Sequence, residues 1–323
     1  MENFCGTFES IVKNVEKVII GKRETIELLL IAFFCDGHVI IEDIPGVGKT
    51  SLASAVSRSV QCSFRRIQFT PDVLPSDITG FYIYNQKSGE FEFRKGLVMS
   101  NIILADEINR TPPRTQASLL EVMEERQVTV EGNTFKLPSP FMVIATQNPA
   151  EYLGTYPLPE AQIDRFFLKL SMGYPQIEEE MQMLARFKET SPLFELEPVV
   201  EKEEIIKMQA QVRQVYVDNS ISRYIIEIIN KTRNHNDIIL GASPRASLCL
   251  YRGAQGWALR QGRNYVLPDD VKKLVIPVLS HRLMLKQEAK IKRISTEEIL
   301  CDILHSVKIP SVNINILDRR HAL

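Results

Sequence analysis

The sequence lacks the features of several protein classes. Its five cysteines are scattered, with no Cys-x-x-Cys pair and no Cys/His cluster that has the spacing of metal ligands. We therefore expect reduced, mostly buried thiols and a cytoplasmic location. The net charge is only −1, and no basic strip interleaved with aromatics is present. There is therefore no strong sign of a nucleic-acid surface, although a net charge near zero is compatible with a local basic patch.

Long apolar runs are also missing. The longest, residues 28–35, is far too short to cross a bilayer and predicts a core helix, so no membrane segment is expected. The N-terminal residues are acidic and polar, without the basic and apolar order of a secretion signal. Neither an internal repeat nor a low-complexity segment is found. A chain of 323 residues with ordinary composition is large enough for about two domains.

Residues 43–50, Asp-Ile-Pro-Gly-Val-Gly-Lys-Thr, predict a phosphate-binding loop. An apolar run precedes them and a helix-permissive stretch, 51–60, follows, so backbone N–H groups can surround a chain of phosphates. Lys49 is expected to reach the β- and γ-phosphates, and the hydroxyl of Thr50 to bind Mg²⁺. Asp43 stands where the usual pattern has glycine, but aspartate tolerates a left-handed backbone, so a turn is still expected. The predicted nucleotide-binding positions in this loop are Asp43, Ile44, Pro45, Gly46, Val47, Gly48, Lys49, Thr50 and Ser51.

The first half of the chain alternates short apolar strands with helical patterns, which predicts a parallel sheet with helices on both faces. The strand candidates are Val39–Glu42, 66–69, 102–105, 142–146 and 166–170, and the helix candidates are 51–60, 112–125 and 160–164. Ligands of such sheets bind at the carboxyl ends of the strands. The predicted fold class is therefore α/β.

The second half of the chain predicts a helical domain, because strand patterns are nearly absent between residues 200 and 305. Ser243 followed by Pro244 reads as a helix N-cap with proline in the first turn. Ser295 and Glu298 read as a capping box. The boundary is expected between about 172 and 200, which gives a nucleotide-binding core over 1–185 and a helical lid over 186–323.

Polar residues follow two further apolar strands. Asp106 and Glu107 end the run Ile102–Ala105; Asp106 suits Mg²⁺, and Glu107 is placed to polarise a water for attack on the γ-phosphate. Asn148 ends the next run and is a candidate sensor of the γ-phosphate. Alone, an Asp-Glu pair would be a solvated strand end and an Asn-Pro a turn, but together with the loop they favour a nucleoside triphosphate and Mg²⁺ as cofactors.

Four blocks of sequence resemble the MoxR family of AAA+ ATPases. They read DIPGVGKT, IILADEINRTPPRTQASLLEVMEERQVTVEG, VIATQNPAEYLGTYPLPEAQIDRF and GASPRAS, and the resemblance covers about 15–290. It implies a P-loop AAA+ sandwich, a parallel sheet between helices, followed by an all-helical lid domain.

The resemblance also implies roles for single residues. Arg165 resembles the arginine finger that reaches a neighbouring subunit's ATP, the alternative being an ion pair with Asp164 or Glu160. Arg245 resembles the sensor-2 arginine at the start of a lid helix, the alternative being a surface arginine. Ile20 and Gly21, together with Ile19, resemble the adenine-side loop.

Two hairpins are predicted beside the core. Residues 80–96 match the place of the family's helix-2 insert. Residues 128–131 and 134–137 flank Gly132-Asn133, read as a two-residue turn, and resemble the hairpin before sensor 1. Two roles stay open for both hairpins: covering the edges of the core, or lining a ring's pore or top face and contacting clients.

The function implied by this resemblance is ATP hydrolysis coupled to remodelling or maturation of protein complexes. Such activity is chaperone-like, and the insertion of a cofactor or a metal into a partner protein is one form that it can take. The implied partners are further copies of the chain in a ring, most simply a hexamer, and protein clients, typically with a von Willebrand A domain. Two alternatives stay open: an AAA+ nucleic-acid motor, and an ATP-dependent scaffold with little turnover. The base preference, ATP or GTP, does not follow from the sequence.

Overall fold

The computed structural model describes residues 2–148, 154–186 and 192–311. They form two compact units. The sheet unit comprises Glu9–Phe166 and Leu170–Ile206, and the helical unit comprises Met1–Phe8, Phe167–Lys169 and Lys207–Leu323. Part of the predicted boundary region, 187–191, lies outside the described residues, so the division at 185/186 stays a prediction.

The strands follow the apolar runs of the sequence. In chain order they are β1 (Val39–Glu42), β2 (Phe64–Gln68), β3 (Gly80–Asn85), β4 (Glu90–Lys95), β5 (Ile102–Asp106), β6 (Gln127–Val130), β7 (Asn133–Lys136), β8 (Met142–Gln147), β9 (Leu168–Leu170), β10 (Ile238–Leu240) and β11 (Met284–Leu285). Five of them form one sheet in the order β2-β5-β8-β1-β9. The β1–β8, β8–β5 and β5–β2 pairs are parallel, and the predicted α/β class is confirmed.

The helices alternate with these strands in the sheet unit and dominate the helical unit. In chain order they are α1 (Glu2–Glu16), α2 (Arg23–Phe34), α3 (Lys49–Ser59), α4 (Pro75–Thr79), α5 (Pro113–Glu125), α6 (Glu160–Ile163), α7 (Ile177–Arg186), α8 (Lys202–Gln214), α9 (Asn219–Arg233), α10 (Pro244–Arg260), α11 (Pro268–Leu279), α12 (Gln287–Ile291) and α13 (Thr296–Ser306). The apolar run 28–35 lies mostly in α2 and is almost wholly buried, which confirms it as a core helix.

The core of the sheet unit explains why these strands are central. All five residues of β5 are buried, as are the first five of β8. Aliphatic residues on both faces of a strand are typical of a parallel sheet covered by helices on each side. A cluster of buried side chains from β5, β8 and α5 fills one face.

The register of the parallel strands aligns their carboxyl ends. Glu42 lies opposite Gln147, and Gln68 lies opposite Asp106. The loops that follow β1, β2, β5 and β8 therefore leave the sheet at one edge, where ligands of such sheets bind.

The sequence placed several element ends one or two residues from their observed positions. β2 begins at Phe64 rather than at 66, because its parallel pairing with β5 starts at Phe64 opposite Ile102. β9 begins at Leu168 rather than at 166. β5 and β8 each extend one residue beyond the predicted end, and α3 begins at Lys49 and α5 at Pro113. Such ends depend on pairing and on capping more than on hydrophobicity.

Both predicted hairpins are present, but one turn is shifted. β6 and β7 pair Val130 with Asn133, so the turn residues are Glu131 and Gly132 rather than Gly132 and Asn133. Both have positive φ, 49° and 81°, as a two-residue type I′ turn requires. The preference for glycine at the second turn position explains the shift.

The two hairpins also pack on each other. Phe93 on β4 stacks on Phe135 of β7 with ring centroids 4.0 Å apart, and Asn133 donates to the Tyr82 hydroxyl at 2.9 Å. Further out on the same hairpin face, Tyr84 and Phe91 are 53% and 68% exposed. One half of this aromatic face is thus covered by the chain itself and the other half faces solvent.

The helical unit confirms both predicted helix starts. The Ser243 hydroxyl accepts from the Ala246 amide at 3.2 Å, with Pro244 in the first turn of α10. Ser295 and Glu298 form the reciprocal capping box of α13. The short pair β10–β11 was not predicted, because two or three apolar residues do not show a strand period. No helix in the described ranges is both long and apolar enough to pass through a membrane.

A buried histidine ties β1 to the elements beside it. His38 Nδ1 accepts from the Val143 amide on β8 at 3.0 Å, and Nε2 lies 3.0 Å from the Met123 carbonyl oxygen on α5, to which it donates. Burial, with Arg126 as a smaller cause, lowers the pKa of His38 from 6.5 to about 3. The fold therefore holds a neutral imidazole at every ordinary pH.

This histidine predicts an acid-dependent loss of stability. Because the pKa is lower in the folded chain, the His38 contribution is fully present above pH 6.5 and is lost as the pH falls towards 3. Between pH 7 and 4.5 the loss is about 2–3 kcal/mol of unfolding free energy. Urea unfolding of His38→Gln should show a lower stability at pH 7 but a shallower fall with acid. His305→Gln, on the exposed end of α13, should keep the wild-type slope; equal slopes in both variants would contradict the assignment.

Candidate functional site

The loop between β1 and α3 has the geometry of an anion site. Gly46 and Gly48 have φ values of 85° and 93°, which side-chain-bearing residues rarely adopt, so glycine is needed at both positions. Gly48 is the left-handed cap of α3, which begins at Lys49. The first amides of a helix have no partner within it, and those of α3 follow directly on the loop that the two glycines shape. Backbone N–H groups and the helix dipole together favour a phosphate at this point.

Lys49 lies across the same loop. Its Nζ donates to the carbonyl oxygens of Asp43 and Ile44 at 2.9 and 3.0 Å. These neutral acceptors hold the ammonium close to the loop without cancelling its charge. The ammonium is thus kept where an anion bound by the loop amides would meet it.

Asp106 ends β5, buried and saturated with donors. Its Oδ1 accepts from the Thr146 hydroxyl at 2.6 Å. Its Oδ2 accepts from Nε and Nη2 of Arg66 on β2 at 3.0 and 2.7 Å. A guanidinium therefore neutralises the carboxylate that the sequence assigns to Mg²⁺.

Glu107 follows with a left-handed backbone, φ 57°. Its amide donates to the Thr146 hydroxyl at 2.8 Å, so one threonine fixes both acidic residues. Its Oε2 accepts from Gln68 at 2.8 Å and lies 3.2 Å from Nε of Arg110. Positive φ in a residue other than glycine is uncommon and is often found at functional sites.

Asn148 follows β8 at the same edge and is 6% exposed. It lies next to Gln147, whose carbonyl accepts from the Asp43 amide at 3.3 Å. The carboxyl end of β8 is thus adjacent to the start of the phosphate loop. Pro149 and the following part of the predicted motif, to Leu153, lie outside the described residues.

The predicted adenine-side loop shares a cleft with the phosphate loop. The cleft has a volume of about 290 Å³ and is lined by Val18, Ile19, Ile20, Lys22, Pro45, Gly46, Val47, Gly48, Ser51, Met172, Gly173, Tyr174, Pro175, Glu180 and Met183. Gly21 has a φ of 72°, and a side chain there would collide with the Glu179 carboxylate. The residues from Met172 to Met183 were missed by the sequence reasoning, because they belong to the region expected to separate two domains.

Two predicted arginines occupy different places. Arg165 follows α6 in the sheet unit, and its Nη2 lies 3.2 Å from the Glu124 carboxylate on α5. That partner is neither Asp164 nor Glu160, the alternatives considered from the sequence. Arg245 is the second residue of α10 in the helical unit, directly after its proline. The roles of both arginines stay predictions.

One part of the donor set suits a magnesium ion. Thr50 in the first turn of α3 and Asp106 at the end of β5 offer a hydroxyl and a carboxylate, the hard oxygen ligands that Mg²⁺ prefers. Within the described ranges no group of three or more His, Cys, Asp or Glu side chains could hold a metal.

A phosphate loop followed by an Asp-Glu strand end on a parallel sheet defines a P-loop nucleotide hydrolase. The comparisons agree with this class: residues 38–168 match the model of the ATPase family associated with various cellular activities, and residues 230–303 match the AAA lid domain. The chain belongs to the MoxR family of AAA+ ATPases and is an ATPase.

Relatives along nearly the whole chain support this membership. Chaperone MoxR1 of Mycobacterium tuberculosis is 41% identical over 95% of this chain and 83% of its own. The uncharacterized protein YeaC of Bacillus subtilis is 52% identical over 93% of both chains. The crystal structure of a protein from Cytophaga hutchinsonii, assigned as an ATPase, is 39% identical and superimposes with a TM-score of 0.90 over 96% of this chain and 97% of that one.

The Arg66–Asp106 pair gives a prediction about metal affinity. Since the guanidinium competes with a metal ion for the carboxylate, Arg66→Gln should tighten Mn²⁺ or Mg²⁺ binding to the ATP-loaded protein. The expected gain is about two- to fivefold, since Arg66 is half exposed and such pairs are weak. Mn²⁺ titration followed by electron paramagnetic resonance measures it directly. Arg65→Gln, the exposed neighbour without a contact to Asp106, is the matched control. An unchanged or weaker affinity in Arg66→Gln alone would refute the competition.

Proposed function

We propose that this ATPase works as a ring-forming remodelling factor whose nucleotide sites are completed between subunits. The observation that carries the proposal is the convergence of the phosphate loop, Asp106, Glu107 and Asn148 at one edge of the sheet. In one protomer, Lys49 and the loop amides bind the β- and γ-phosphates of ATP. Arg165 of the next protomer meets the charge that develops on the γ-phosphoryl oxygens.

The remaining roles are part of the same proposal. Thr50 and Asp106 hold Mg²⁺, which supplies charge neutralisation at the phosphates when bound. Glu107 accepts a proton from, or orients, the attacking water, and Asn148 donates to the γ-phosphate. Gln68 and Arg110 hold the Glu107 carboxylate, so Glu107 acts once it exchanges these partners for water. Arg245 takes the sensor-2 role that the family resemblance implies.

The proposal extends to assembly and partners. A hexamer is supported by family membership, and a cytoplasmic location by five free cysteines and the need for ATP. Clients are protein complexes, with von Willebrand A domain proteins as the expected class. The exposed pair Tyr84 and Phe91 on the insert hairpin supports client contact at that face, because uncovered aromatics mark interaction sites.

The two other functions are tested by simple measurements. A nucleic-acid motor should bind DNA with steep salt dependence and show DNA-stimulated ATPase activity. A scaffold should bind ATP with almost no turnover. We expect measurable turnover and no stimulation by DNA, because the net charge is close to zero.

Glu107→Gln should separate binding from hydrolysis. The amide keeps the size of the side chain but removes its basicity, so kcat should fall by about 10²–10⁴ while the dissociation constant for ATP stays within a factor of about two. Rapid-quench turnover and equilibrium titration with a fluorescent ATP analogue measure the two quantities. Glu121→Gln on the exposed side of α5 is the control and should keep full turnover. Unchanged turnover in Glu107→Gln would exclude the water-activating role.

Arg165 gives a test of catalysis between subunits. Arg165→Ala alone should lower kcat by about 10³–10⁵. Mixed with Glu107→Gln before assembly, it should recover activity, because a site with Glu107 from one subunit and Arg165 from the other is intact. Random assembly at equal amounts gives roughly a quarter of sites of that kind, so the rate should approach about a quarter of wild type. The double variant Glu107→Gln/Arg165→Ala, mixed with either single variant, should recover nothing. Recovery there, or full activity of a verified monomer, would contradict a finger supplied by a neighbour.

A further inference from the structure

The carboxylate of Asp43, the first residue of the phosphate loop, is hydrogen-bonded by the segment that follows β9. The residue is 7% exposed. Its Oδ1 accepts from the Ser171 hydroxyl at 3.1 Å and from the Gly173 amide at 3.2 Å, and its Oδ2 accepts from the Met172 amide. Three donors from three successive residues therefore converge on one buried carboxylate. Two consecutive amides of this kind form a backbone nest, and Gly173 has the positive φ of 59° that such a nest uses.

The backbone of Asp43 differs from the expectation drawn from the sequence. Residues with positive φ include Gly46 and Gly48 but not Asp43. Aspartate does not replace glycine here for its tolerance of a left-handed turn. Its side chain makes a tertiary contact that glycine cannot make, and glycine would leave the amides of Met172 and Gly173 without this acceptor.

The segment held by Asp43 forms one wall of the cleft. Met172, Gly173, Tyr174 and Pro175 line it together with residues of the adenine-side loop. That loop also holds the segment, since Lys22 Nζ donates to the Tyr174 carbonyl at 2.9 Å. The connector from β9 to α7 is thus hydrogen-bonded at two places, to Lys22 next to the adenine-side loop and to Asp43.

Asp43 touches both halves of the nucleotide site. Its carbonyl oxygen accepts from Nζ of Lys49 at 2.9 Å, while its carboxylate accepts from the connector. A direct phosphate contact by this carboxylate is disfavoured, because two anions would repel each other and because the carboxylate already has three donors. The side chain instead sets the distance between the phosphate loop and the wall of the cleft.

We propose that Asp43 is a positioning residue for the nucleoside part of the ligand. It fixes the connector 171–173 relative to the phosphate loop, so that base and ribose meet a preformed wall while the triphosphate is bound by the loop. This inference rests on the proposed nucleotide site. Asp43 contributes to affinity through the nucleoside and leaves the affinity for a bare triphosphate unchanged.

The test compares ATP with inorganic tripolyphosphate on the same variants. Asp43→Asn keeps the shape but turns an amide donor towards the connector amides, and Asp43→Gly gives the conventional loop. Isothermal titration should show ATP bound about 10- to 100-fold more weakly by either variant, with the tripolyphosphate affinity within a factor of about two of wild type. Ser171→Ala removes a single donor and should weaken ATP by about two- to fivefold.

Hydrogen exchange gives a second readout that needs no ligand. In Asp43→Asn the amides of Met172 and Gly173 should exchange faster, and those of α3 should keep their wild-type rates. Asp36→Asn, an acidic residue paired with Arg126, is the control and should change neither region.

The outcomes separate this inference from the proposed function. Equal weakening of ATP and tripolyphosphate would mean that Asp43 shapes the phosphate loop itself and would overturn the proposal, as would unchanged ATP affinity or unchanged exchange at Met172 and Gly173. Failure of the wild-type protein to bind ATP would instead refute the nucleotide site. Should the tripolyphosphate complex be too weak to titrate, faster exchange confined to the connector supports the positioning role and unchanged exchange ends it.

Discussion

The alignment of four parallel strand ends is the constraint on which the candidate site depends. β1, β8, β5 and β2 are neighbours, and their register brings Asp43, Asn148, Asp106 and Gln68 to one edge of the sheet. A shift of one residue in any pair would turn the side chains of that strand to the opposite face. The aliphatic residues of β5 and β8, buried on both faces, hold these two strands at the centre of the sheet, where the ends of β5 and β8 carry Asp106 and Asn148.

The second constraint is electrostatic. Asp106 and Glu107 are adjacent carboxylates at a partly buried edge, and like charges so close raise each other's energy. The chain offsets this with Arg66 and Arg110, and with the hydroxyl of Thr146 and the amide of Gln68. Because these groups already occupy the carboxylate oxygens, the carboxylates are not fully available to a metal ion or a water molecule. A ligand that brings cations and a triphosphate therefore does not enter an uncompensated site. It replaces some of the existing hydrogen bonds and ion pairs with its own. The free energy of binding is therefore the difference between two states in which the carboxylates have partners, one without the ligand and one with it.

Part of this site could be predicted from the sequence, because its residues follow local patterns of hydrophobicity. The phosphate loop, Asp106, Glu107 and Asn148 each end an apolar run, and such runs predict strands whatever their order in the sheet. The contacts of Arg66, Gln68 and Thr146 could not be read in the same way, because they depend on β2 and β8 lying on either side of β5, and sequence order does not state this. Asp43 was misread for a related reason: its conformation is decided by a segment more than a hundred residues further along the chain. The turn at Glu131 and Gly132 shows a smaller failure, since the glycine was found but its place in the turn was not.

Under the proposed arginine-finger role, Arg165 links assembly to chemistry. Its guanidinium is one-third exposed and pairs with Glu124, which is itself partly exposed. Exposed pairs of this kind contribute little to stability and exchange partners readily. An arginine held in this way is pre-ordered near α5 but is not committed to Glu124, whereas a triphosphate offers several charged oxygens for bidentate contact and is the stronger partner for a guanidinium. A neighbouring ATP could therefore draw Arg165 away at small cost, and a subunit without a neighbour would keep it with Glu124. In the proposed ring, the weak pair with Glu124 and the contact with a neighbour's ATP are the two states of Arg165, and hydrolysis would then depend on assembly without any change in the fold.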